Sequence, residues 1–179
     1  MNVLNTTPIT PLTYSKADCE VGIIHVGVGA FHRAHQAVYM NMLLGYKDQQ
    51  KWGIMGINLR SQDANINLQL ADQKHLYTLK TLSPENHATY EEIGSILSTL
   101  DWSTNAETAA KAVDNKNVHL ITMTVTESGY YLLENGQLDT QSPIIIEALQ
   151  GSGSCIYAYL RASLNVRRVG CNMPITLLC

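Results

Sequence analysis

Two short apolar stretches near the start of the chain have the character of buried strands. Residues 21–28 and 53–58 are almost free of charged side chains and rich in Ile and Val, which is typical of strands covered on both faces of a parallel sheet. Between them, residues 32–44 carry apolar side chains at helical spacing, and Gly45 follows as a natural stop. This order predicts a βαβ unit, because neighbouring parallel strands need a crossover connection.

The same alternation continues along the chain. The further predicted elements are a helix at 63–73, a hairpin of strands 76–82 and 89–96 around a turn at 83–86, a helix at 104–113, a strand at 118–125, a tight turn at Asn135-Gly136, helices at 143–150 and from 156 onward, and a strand at 174–179. The buried face predicted for the helix from 156 consists of Ile156, Tyr157, Leu160 and Leu164. We therefore expect an α/β fold, Rossmann-like and doubly wound, with a mainly parallel sheet and an inserted β-hairpin.

Composition narrows the class of protein. Hydrophobic residues make up 45% and charged residues 15% of the 179 residues, so we expect one ordered domain with a hydrophobic core. The formal net charge is −3 and the basic residues are scattered, which argues against a nucleic-acid or membrane-surface partner. The chain has no apolar run of about 20 residues and no signal-peptide pattern at its start. These features predict a cytoplasmic location, with residues 1–20 as an N-terminal extension.

The four cysteines show none of the spacings that bind metal. Cys19, Cys155, Cys171 and Cys179 form no C-x-x-C pair and have no histidine at zinc-finger distance. We expect free thiols and no metal site.

The turn after the first strand carries the candidate chemistry. Gly27 and Gly29 begin a G-x-G-x-x-H segment between a predicted strand and a predicted helix, where dinucleotide-binding proteins have G-x-G-x-x-G. In that motif the first glycine allows the tight turn and the second lets a pyrophosphate approach the helix start. A glycine turn that serves only packing remains the alternative. His32, Arg33 and His35 then place basic groups in the first helical turn, where an anion would offset their unfavourable position.

Two segments resemble the signatures of one family. Residues 27–36 read Gly-Val-Gly-Ala-Phe-His-Arg-Ala-His-Gln and residues 124–130 read Thr-Val-Thr-Glu-Ser-Gly-Tyr. Both are similar to segments of the mannitol dehydrogenase family, the long-chain polyol and hexuronate dehydrogenases, and the resemblance extends from about residue 22 to residue 179. Within the family, residues 77–79, 90–96 and 129–132 resemble the D-arabinitol 4-dehydrogenases. Mannitol 2-dehydrogenases and fructuronate reductases are the competing branches.

The resemblance implies an NAD-dependent oxidoreductase that transfers a hydride between a sugar alcohol and a ketose. The substrate expected from the branch is D-arabinitol, oxidised to D-xylulose, and no metal is required. Family members carry their general acid/base Lys, with Asn and His partners, in a helical C-terminal domain that follows a Cys-Asp-Asn segment. This chain ends at Cys179, so residues 21–179 are expected to be an incomplete NAD-binding domain, truncated before that region, and no catalytic residue is assigned.

The resemblance also implies which residues bind the cofactor. Gly27, Gly29, Ala30, Phe31 and His32 would lie along the pyrophosphate. Arg33 would pair with a phosphate, and a structural or solvated role for it is the alternative. Asn58 stands at the end of the second strand, where an acid usually binds the ribose, and Asp63 matches the later acid of the family. Arg60 suits a 2′-phosphate, so NAD is expected and NADP stays open. Thr126 and Glu127, in the second signature, are expected beside the nicotinamide, and a helix-capping or surface carboxylate is the alternative for Glu127.

Two other functions remain open at this point. One is a nucleotide-binding module without turnover, which the missing acid/base Lys favours. The other is a methyltransferase-like α/β domain, which also uses a glycine-rich first turn but leaves the His-Arg-Ala-His sequence unexplained.

Overall fold

A computed structural model describes residues 8–170 and 176–178, with side chains described for 8–165. Its strands are β1 Ile9–Thr10, β2 Val21–Val26, β3 Gly53–Asn58, β4 Tyr77–Leu82, β5 Ala88–Ile93, β6 Ile96–Asp101, β7 Leu120–Met123 and β8 Thr176–Leu178. Its α-helices are α1 Ala30–Ala34, α2 Gln36–Leu44, α3 Ala64–Asp72, α4 Trp102–Lys111, α5 Pro143–Gln150 and α6 Ile156–Gly170. The strand predicted at 174–179 is present as β8, and its remaining residues lie outside the described part.

The main sheet has five strands in the order β6-β3-β2-β7-β8, and every neighbouring pair is parallel. The chain leaves β2 towards one edge, through β3 and β6, and then returns to the other side of β2 to form β7 and β8. This is the doubly wound order of a Rossmann-like domain, so the predicted fold class is confirmed. The carboxyl ends of β2 and β7 meet where the direction reverses, which is the usual ligand position in such sheets.

Alternate residues of the central strand enter two separate cores. Ile24 and Val26 pack in a cluster with α4 and α6, whereas Ile23 packs in a second cluster with α2 and α3. Successive side chains of a strand point to opposite faces, so a strand buried on both faces must be apolar at nearly every position. That requirement explains why residues 21–26 and 53–58 are recognisable in the sequence.

A second sheet lies outside the parallel one. The predicted hairpin is present, with Tyr77 opposite Ile93 and Leu82 opposite Ala88 in antiparallel register. It is joined by β1, whose Ile9 and Thr10 pair in parallel with β5. Strand β1, within the predicted N-terminal extension, thus pairs with a strand of the predicted domain, and the boundary at residue 21 stays a prediction. Residues 1–7 lie outside the described part.

The stretch predicted as the second hairpin strand contains the start of another element. Residues 89–96 were expected to form one strand, but β5 ends at Ile93 and Ile96 begins β6, which joins the parallel sheet beside β3. Gly94 and Ser95 separate the two strands. The Gly94 N–H donates to Asn41 Oδ1 at 2.9 Å, and the buried Ser95 hydroxyl donates to the Ala37 carbonyl at 2.6 Å.

Two predicted helices differ from the observed ones. The helix expected at 32–44 is two helices, α1 and α2, separated at His35, whose φ of −126° and ψ of −87° are not helical. The predicted apolar face of α6 is partly wrong, because Leu164 is 63% exposed and Tyr159 is fully buried. Tyr159 packs edge-on against Trp102 with 5.6 Å between ring centroids, so contact with α4 sets the orientation of the helix.

Membrane and metal signals are missing from the described residues. None of their helices is long and apolar enough to cross a bilayer. Across the same residues, no cluster of three or more His, Cys, Asp or Glu side chains is arranged to hold a metal ion. Cys19 and Cys155 are free thiols, and the other two cysteines lie outside the described side chains.

Candidate nucleotide-binding site

The turn after β2 requires glycine at its first position. Gly27 has a φ of +98°, and a Cβ there would lie 3.0 Å from the Thr124 carbonyl oxygen. The Gly27 N–H donates to the Ile57 carbonyl at 2.9 Å, which ties the turn to β3. Glycine is the residue that adopts this left-handed backbone without steric strain. Gly27 is therefore fixed by conformation and close packing within the chain itself.

Gly29 has a different reason to be glycine. Its φ of −79° and ψ of −179° are ordinary extended values. A Cβ at this position would meet no atom within 4 Å. Gly29 is also the N-cap of α1, and no side chain caps that helix start. Neither backbone strain nor internal packing requires glycine here, so the open space next to the helix start is what its small size preserves.

That space is part of a cavity of about 650 Å³ at the carboxyl ends of β2, β3 and β7. Its volume lies within the usual range for small-molecule sites. The residues that line it are Gly27, Val28, Gly29, Ala30, Phe31, Arg33, Asn58, Arg60, Asp63, Ile66, Met123, Thr124, Val125, Thr126 and Tyr130. The structure thus brings together most of the predicted cofactor-binding residues, with His32 and Glu127 as the exceptions.

Asn58, at the end of β3, holds the glycine turn from the side. Its Oδ1 accepts the Val28 N–H at 2.9 Å, and its Nδ2 donates to Asn67 Oδ1 at 2.9 Å. The side chain is buried, with 3% exposed. Buried amide groups need such partners, so Asn58 positions the cavity wall with both ends of its amide group already engaged.

Arg60 and Asp63 form an ion pair on the cavity wall. Arg60 Nε lies 2.9 Å from Asp63 Oδ2, and a second nitrogen of the guanidinium lies 3.4 Å from Oδ1. The Arg60 side chain is largely exposed, whereas that of Asp63 is about one-third exposed. The pair therefore presents a carboxylate at a fixed position, with its cation turned towards solvent.

His32 does not present its side chain to the cavity. The ring is 1% exposed, stacks on His25 and is absent from the cavity wall. Burial lowers the pKa of His32 to about 3, so the ring is neutral. The expectation that His32 supplies positive charge to a pyrophosphate is wrong, because its position on α1 turns it into the core. Only its backbone remains at the helix start.

Arg33 and Phe31 do reach the wall. The Arg33 guanidinium donates to the Val28 carbonyl at 2.9 Å, and the Tyr77 hydroxyl donates to the Arg33 carbonyl at 2.6 Å. Burial raises the pKa of Tyr77, which keeps this hydroxyl protonated as a donor. The Phe31 ring is 66% exposed and stacks on His35 with 4.3 Å between centroids. Arg33 is thus a permanent positive charge held against the turn.

The loop after β7 forms the opposite wall. Thr124 and Thr126 line the cavity, and the Thr124 hydroxyl donates to the Gly27 carbonyl at 3.0 Å. Glu127 begins a 3₁₀ turn in the same loop, but it is exposed and off the wall. Thr124 is not among the predicted site residues, because the sequence predicts a strand to residue 125, whereas β7 ends at Met123.

A smaller cavity of about 230 Å³ adjoins the first. It shares Gly27, Asn58 and Asp63 with the larger cavity and extends to Ser154 and Cys155 before α6. The two cavities together form a cleft along the carboxyl edge of the sheet. An elongated ligand would fit such a cleft better than a compact one.

The model of the mannitol dehydrogenase Rossmann domain matches residues 21–177. The chain belongs to the mannitol dehydrogenase family. This confirms the resemblance carried by residues 27–36 and 124–130. The family assignment also removes the methyltransferase-like alternative, because the match covers the glycine turn and the opposite loop together.

Individual family members agree with this assignment. The chain is 38% identical over 155 residues to D-arabinitol 4-dehydrogenase of Klebsiella pneumoniae, covering 87% of this chain and 34% of the relative. It is 36% identical over 173 residues to mannitol 2-dehydrogenase of Phaeosphaeria nodorum, covering 95% of this chain and 30% of the relative. The chain thus spans about one third of the length of these family members.

Two solved structures share the fold of this chain. Mannitol 2-dehydrogenase of Pseudomonas fluorescens, in a ternary complex with NAD and D-mannitol, superposes with a TM-score of 0.88 at 31% identity. The match covers 96% of this chain and 36% of that enzyme. A substrate-free D-sorbitol dehydrogenase superposes with a TM-score of 0.85 at 24% identity, which supports the fold alone.

Proposed function

We propose that this chain is the NAD-binding part of a polyol dehydrogenase and that the dinucleotide occupies the cleft at the carboxyl edge of the sheet. The observation that carries the proposal is Gly29. It stands at an uncapped helix start where a side chain would meet only open space, on the wall of a 650 Å³ cavity. A helix start of this kind suits a phosphate group. The related mannitol 2-dehydrogenase has been solved with NAD.

The wall residues divide between the two halves of the cofactor. Gly27, Gly29, Ala30 and Phe31 lie along the proposed pyrophosphate position, with the charge of Arg33 beside it. The backbone of His32 completes the helix start. Across the cleft, Thr126 contacts the nicotinamide half in this proposal, and Glu127 stays a candidate from the adjacent exposed turn.

Asp63 favours NAD over NADP. A carboxylate near the adenosine ribose accepts hydrogen bonds from its hydroxyls and repels a 2′-phosphate. Arg60 would suit that phosphate, but the Asp63 carboxylate holds its guanidinium in a two-contact ion pair. Asn58 is committed to Val28 and Asn67, so its share in the proposed site is to hold the loop in place.

The proposed reaction is the oxidation of a sugar alcohol to a ketose, with D-arabinitol to D-xylulose as the specific case. When bound, NAD supplies the hydride acceptor. The similarity to a D-arabinitol 4-dehydrogenase at 38% identity supports this choice, and the similarity to mannitol 2-dehydrogenases at 36% keeps D-mannitol as the competing substrate. The cavity wall formed by the described residues carries no lysine, so we assign cofactor binding to this chain and no acid/base residue.

A nucleotide-binding role without turnover is the second candidate. It is favoured by the same lack of a lysine on the described cavity wall. The two functions differ in one assay. A dehydrogenase converts NAD to NADH when D-arabinitol or D-mannitol is added, whereas a binding module gives saturable nucleotide binding and no turnover with either polyol.

The first test is a calorimetric titration of the purified chain with NADH and with NADPH. We expect saturable NADH binding and weaker NADPH binding. Asp63→Ala should weaken NADH by roughly 10-fold, because a hydrogen bond to a charged group contributes about 1.5–3 kcal/mol, and it should release Arg60 to improve NADPH. Asp72→Ala, on the exposed end of the adjoining helix, is the matched control and should change neither affinity. No binding of either nucleotide to a folded sample would refute the proposal.

A further inference from the structure

Two stacked histidines lie directly beneath the glycine turn. The rings of His25, on β2, and His32, on α1, are 3.6 Å apart at their centroids and inclined by only 14°. Each side chain is 1% exposed. A histidine pair this deeply buried is costly unless its polar atoms are satisfied, so its location at the base of the proposed site calls for an explanation.

The hydrogen bonds around His25 determine which ring nitrogen carries the proton. His25 Nε2 lies 3.2 Å from the Gly27 carbonyl oxygen and 3.2 Å from Thr124 Oγ1. The Thr124 hydroxyl itself donates to the Gly27 carbonyl at 3.0 Å. A carbonyl oxygen only accepts hydrogen bonds, so Nε2 must be the protonated nitrogen. The neutral ring is therefore the Nε2–H tautomer.

The other nitrogen of His25 must then accept. Nδ1 lies 2.7 Å from Thr122 Oγ1, and that hydroxyl lies 3.0 Å from Gln36 Oε1. The hydroxyl has one hydrogen, so it donates to Nδ1 only when the Gln36 amide turns its NH₂ group, in place of Oε1, towards the Thr122 oxygen. With the amide turned in this way, Gln36, Thr122 and His25 form one directed chain of hydrogen bonds that ends on the Gly27 carbonyl.

His32 has no comparable chain. Neither of its ring nitrogens has a hydrogen-bond partner among the described residues. Burial lowers the pKa of both histidines, to about 4 for His25 and about 3 for His32. The titratable groups that face His32 are His25 and Arg33, and both disfavour its protonation, whereas the Gln36 amide favours it with an effect smaller than that of His25 and larger than that of Arg33. The contribution of His32 is therefore its flat ring and not its nitrogens.

We propose that His25, as the Nε2–H tautomer that the Gly27 carbonyl requires, is a positioning residue that holds this carbonyl, with the Gln36 amide turned to donate to Thr122, and that His32 acts only through the ring stacked on His25. The link to cofactor affinity rests on the proposed NAD binding. The tautomer and the stacking do not, because both belong to the chain without its cofactor.

The direct test is the tautomer. Long-range nitrogen–proton NMR of the ¹⁵N-labelled chain distinguishes protonated from bare ring nitrogens. At pH 7 we expect the histidine signal that is absent from the His25→Gln variant to report a neutral ring in the Nε2–H form. The Nδ1–H form or a protonated ring at this position would overturn the proposal, whether or not NADH binds.

Substitutions of His25 then distinguish a hydrogen-bonding role from one of filling space. His25→Gln keeps a donor near the Nε2 position and should keep NADH affinity within about 3-fold of wild type, whereas His25→Leu should weaken NADH by at least ~10-fold, as expected for loss of about one buried hydrogen bond. His119→Leu, at the opposite end of the sheet beside Trp52, is the control and should bind NADH normally. Equal affinities for His25→Gln and His25→Leu would contradict the holding role.

His32→Phe tests whether His32 acts only through the ring that stacks on His25. Phe keeps the stacked ring and removes two unpartnered nitrogens, so it should preserve NADH affinity although His32 belongs to a family signature. It should also flatten the acid dependence of stability. Both folded pKa values lie below the ordinary value of 6.5, so the unfolded chain binds more protons between about pH 6.5 and 4, and stability falls as pH decreases through that window.

The pH dependence of stability can be measured without any cofactor. Chemical unfolding at several pH values should show that His32→Phe lowers the slope of stability against pH by about one proton. An unchanged slope, or loss of NADH binding in a folded His32→Phe protein, would show that the nitrogens of His32 do matter. If wild-type chain binds no NADH, the NMR and unfolding results still decide the proposal.

Discussion

Two helices begin at the same edge of the parallel sheet, and they differ in how their first N–H groups are capped. Helix α4 follows β6 and is capped by Asp101, whose Oδ1 accepts the Ser103 N–H at 2.9 Å and the Ser103 hydroxyl at 2.8 Å. Helix α1 follows β2 and begins at Gly29 with no side-chain cap. The first N–H groups of any helix lack partners within the helix. One start is therefore completed by the chain, and the other is left open on the cavity wall.

The comparison indicates which of the two helix starts is suited to bind an anionic ligand. Asp101 satisfies a backbone donor and places a carboxylate over its helix, which would repel an anion. Gly29 supplies neither a side chain nor a charge. The open start is also the one that adjoins Gly27, Arg33 and the 650 Å³ cavity, so the chemical difference between the two caps agrees with the shape of the surface.

The largest expected effect comes from giving Gly29 the cap that α4 has. Gly29→Asp should lower NADH affinity by at least ~100-fold, because a carboxylate about 4 Å from a phosphate is repelled by up to about 4 kcal/mol at an effective dielectric of 20. Stability should rise by a few tenths of a kcal/mol. Calorimetry and urea unfolding measure the two effects. Gly29→Asn separates charge from size, and unimpaired binding by Gly29→Asp would show that the pyrophosphate lies elsewhere.

Gly27→Ala should disturb both stability and binding. Its positive φ and the nearby Thr124 carbonyl predict a loss of about 1–3 kcal/mol in unfolding free energy, together with weaker NADH binding. Gly136→Ala is a matched control, since Gly136 has a φ of +79° but open space around its Cβ. It should lose about 1 kcal/mol from backbone strain and keep its NADH affinity. Equal effects of the two variants on binding would argue against a special role for the turn.

Asp101→Ala should give the smallest effect, confined to stability. Loss of an N-cap costs typically about 1 kcal/mol, which urea unfolding resolves. Asp101→Ser should restore most of it, because serine is also a good cap. The NADH affinity of both variants should equal that of wild type. A clear loss of affinity in Asp101→Ala would mean that the two helix starts are not independent.

Elements with strong local signals were predicted at their observed bounds. Strand β3 matches residues 53–58, because a strand covered on both faces leaves an uninterrupted apolar run. Helix α5 matches 143–150, since Pro143 suits the first turn and Gly151, with a φ of +92°, ends it. In both cases the deciding residues are next to each other in the chain.

Features that depend on distant contacts were not predictable in this way. Gly94 and Ser95 separate two strands through bonds to Asn41 and Ala37, which no local pattern reveals. The site followed the same rule. The glycine turn was found from its spacing and Asp63, with Arg60 nearby, from the family resemblance. The inward rotation of His32 depends on contact with His25, and the place of Thr124 depends on where β7 ends.

Through Lys16, residues 8–20 also connect the two sheets by hydrogen bonds. Its ammonium group donates to the carbonyls of Lys74 and His75, before β4, and of Ile96, at the start of β6. One side chain thus fastens the inserted sheet to the parallel sheet across separations of 58 to 80 residues. A protein shortened to begin at residue 21 would keep every proposed cofactor contact and lose this clasp. Cutting the chain just before β2, the first strand of the nucleotide-binding unit, would therefore remove the Lys16 contacts between the two sheets.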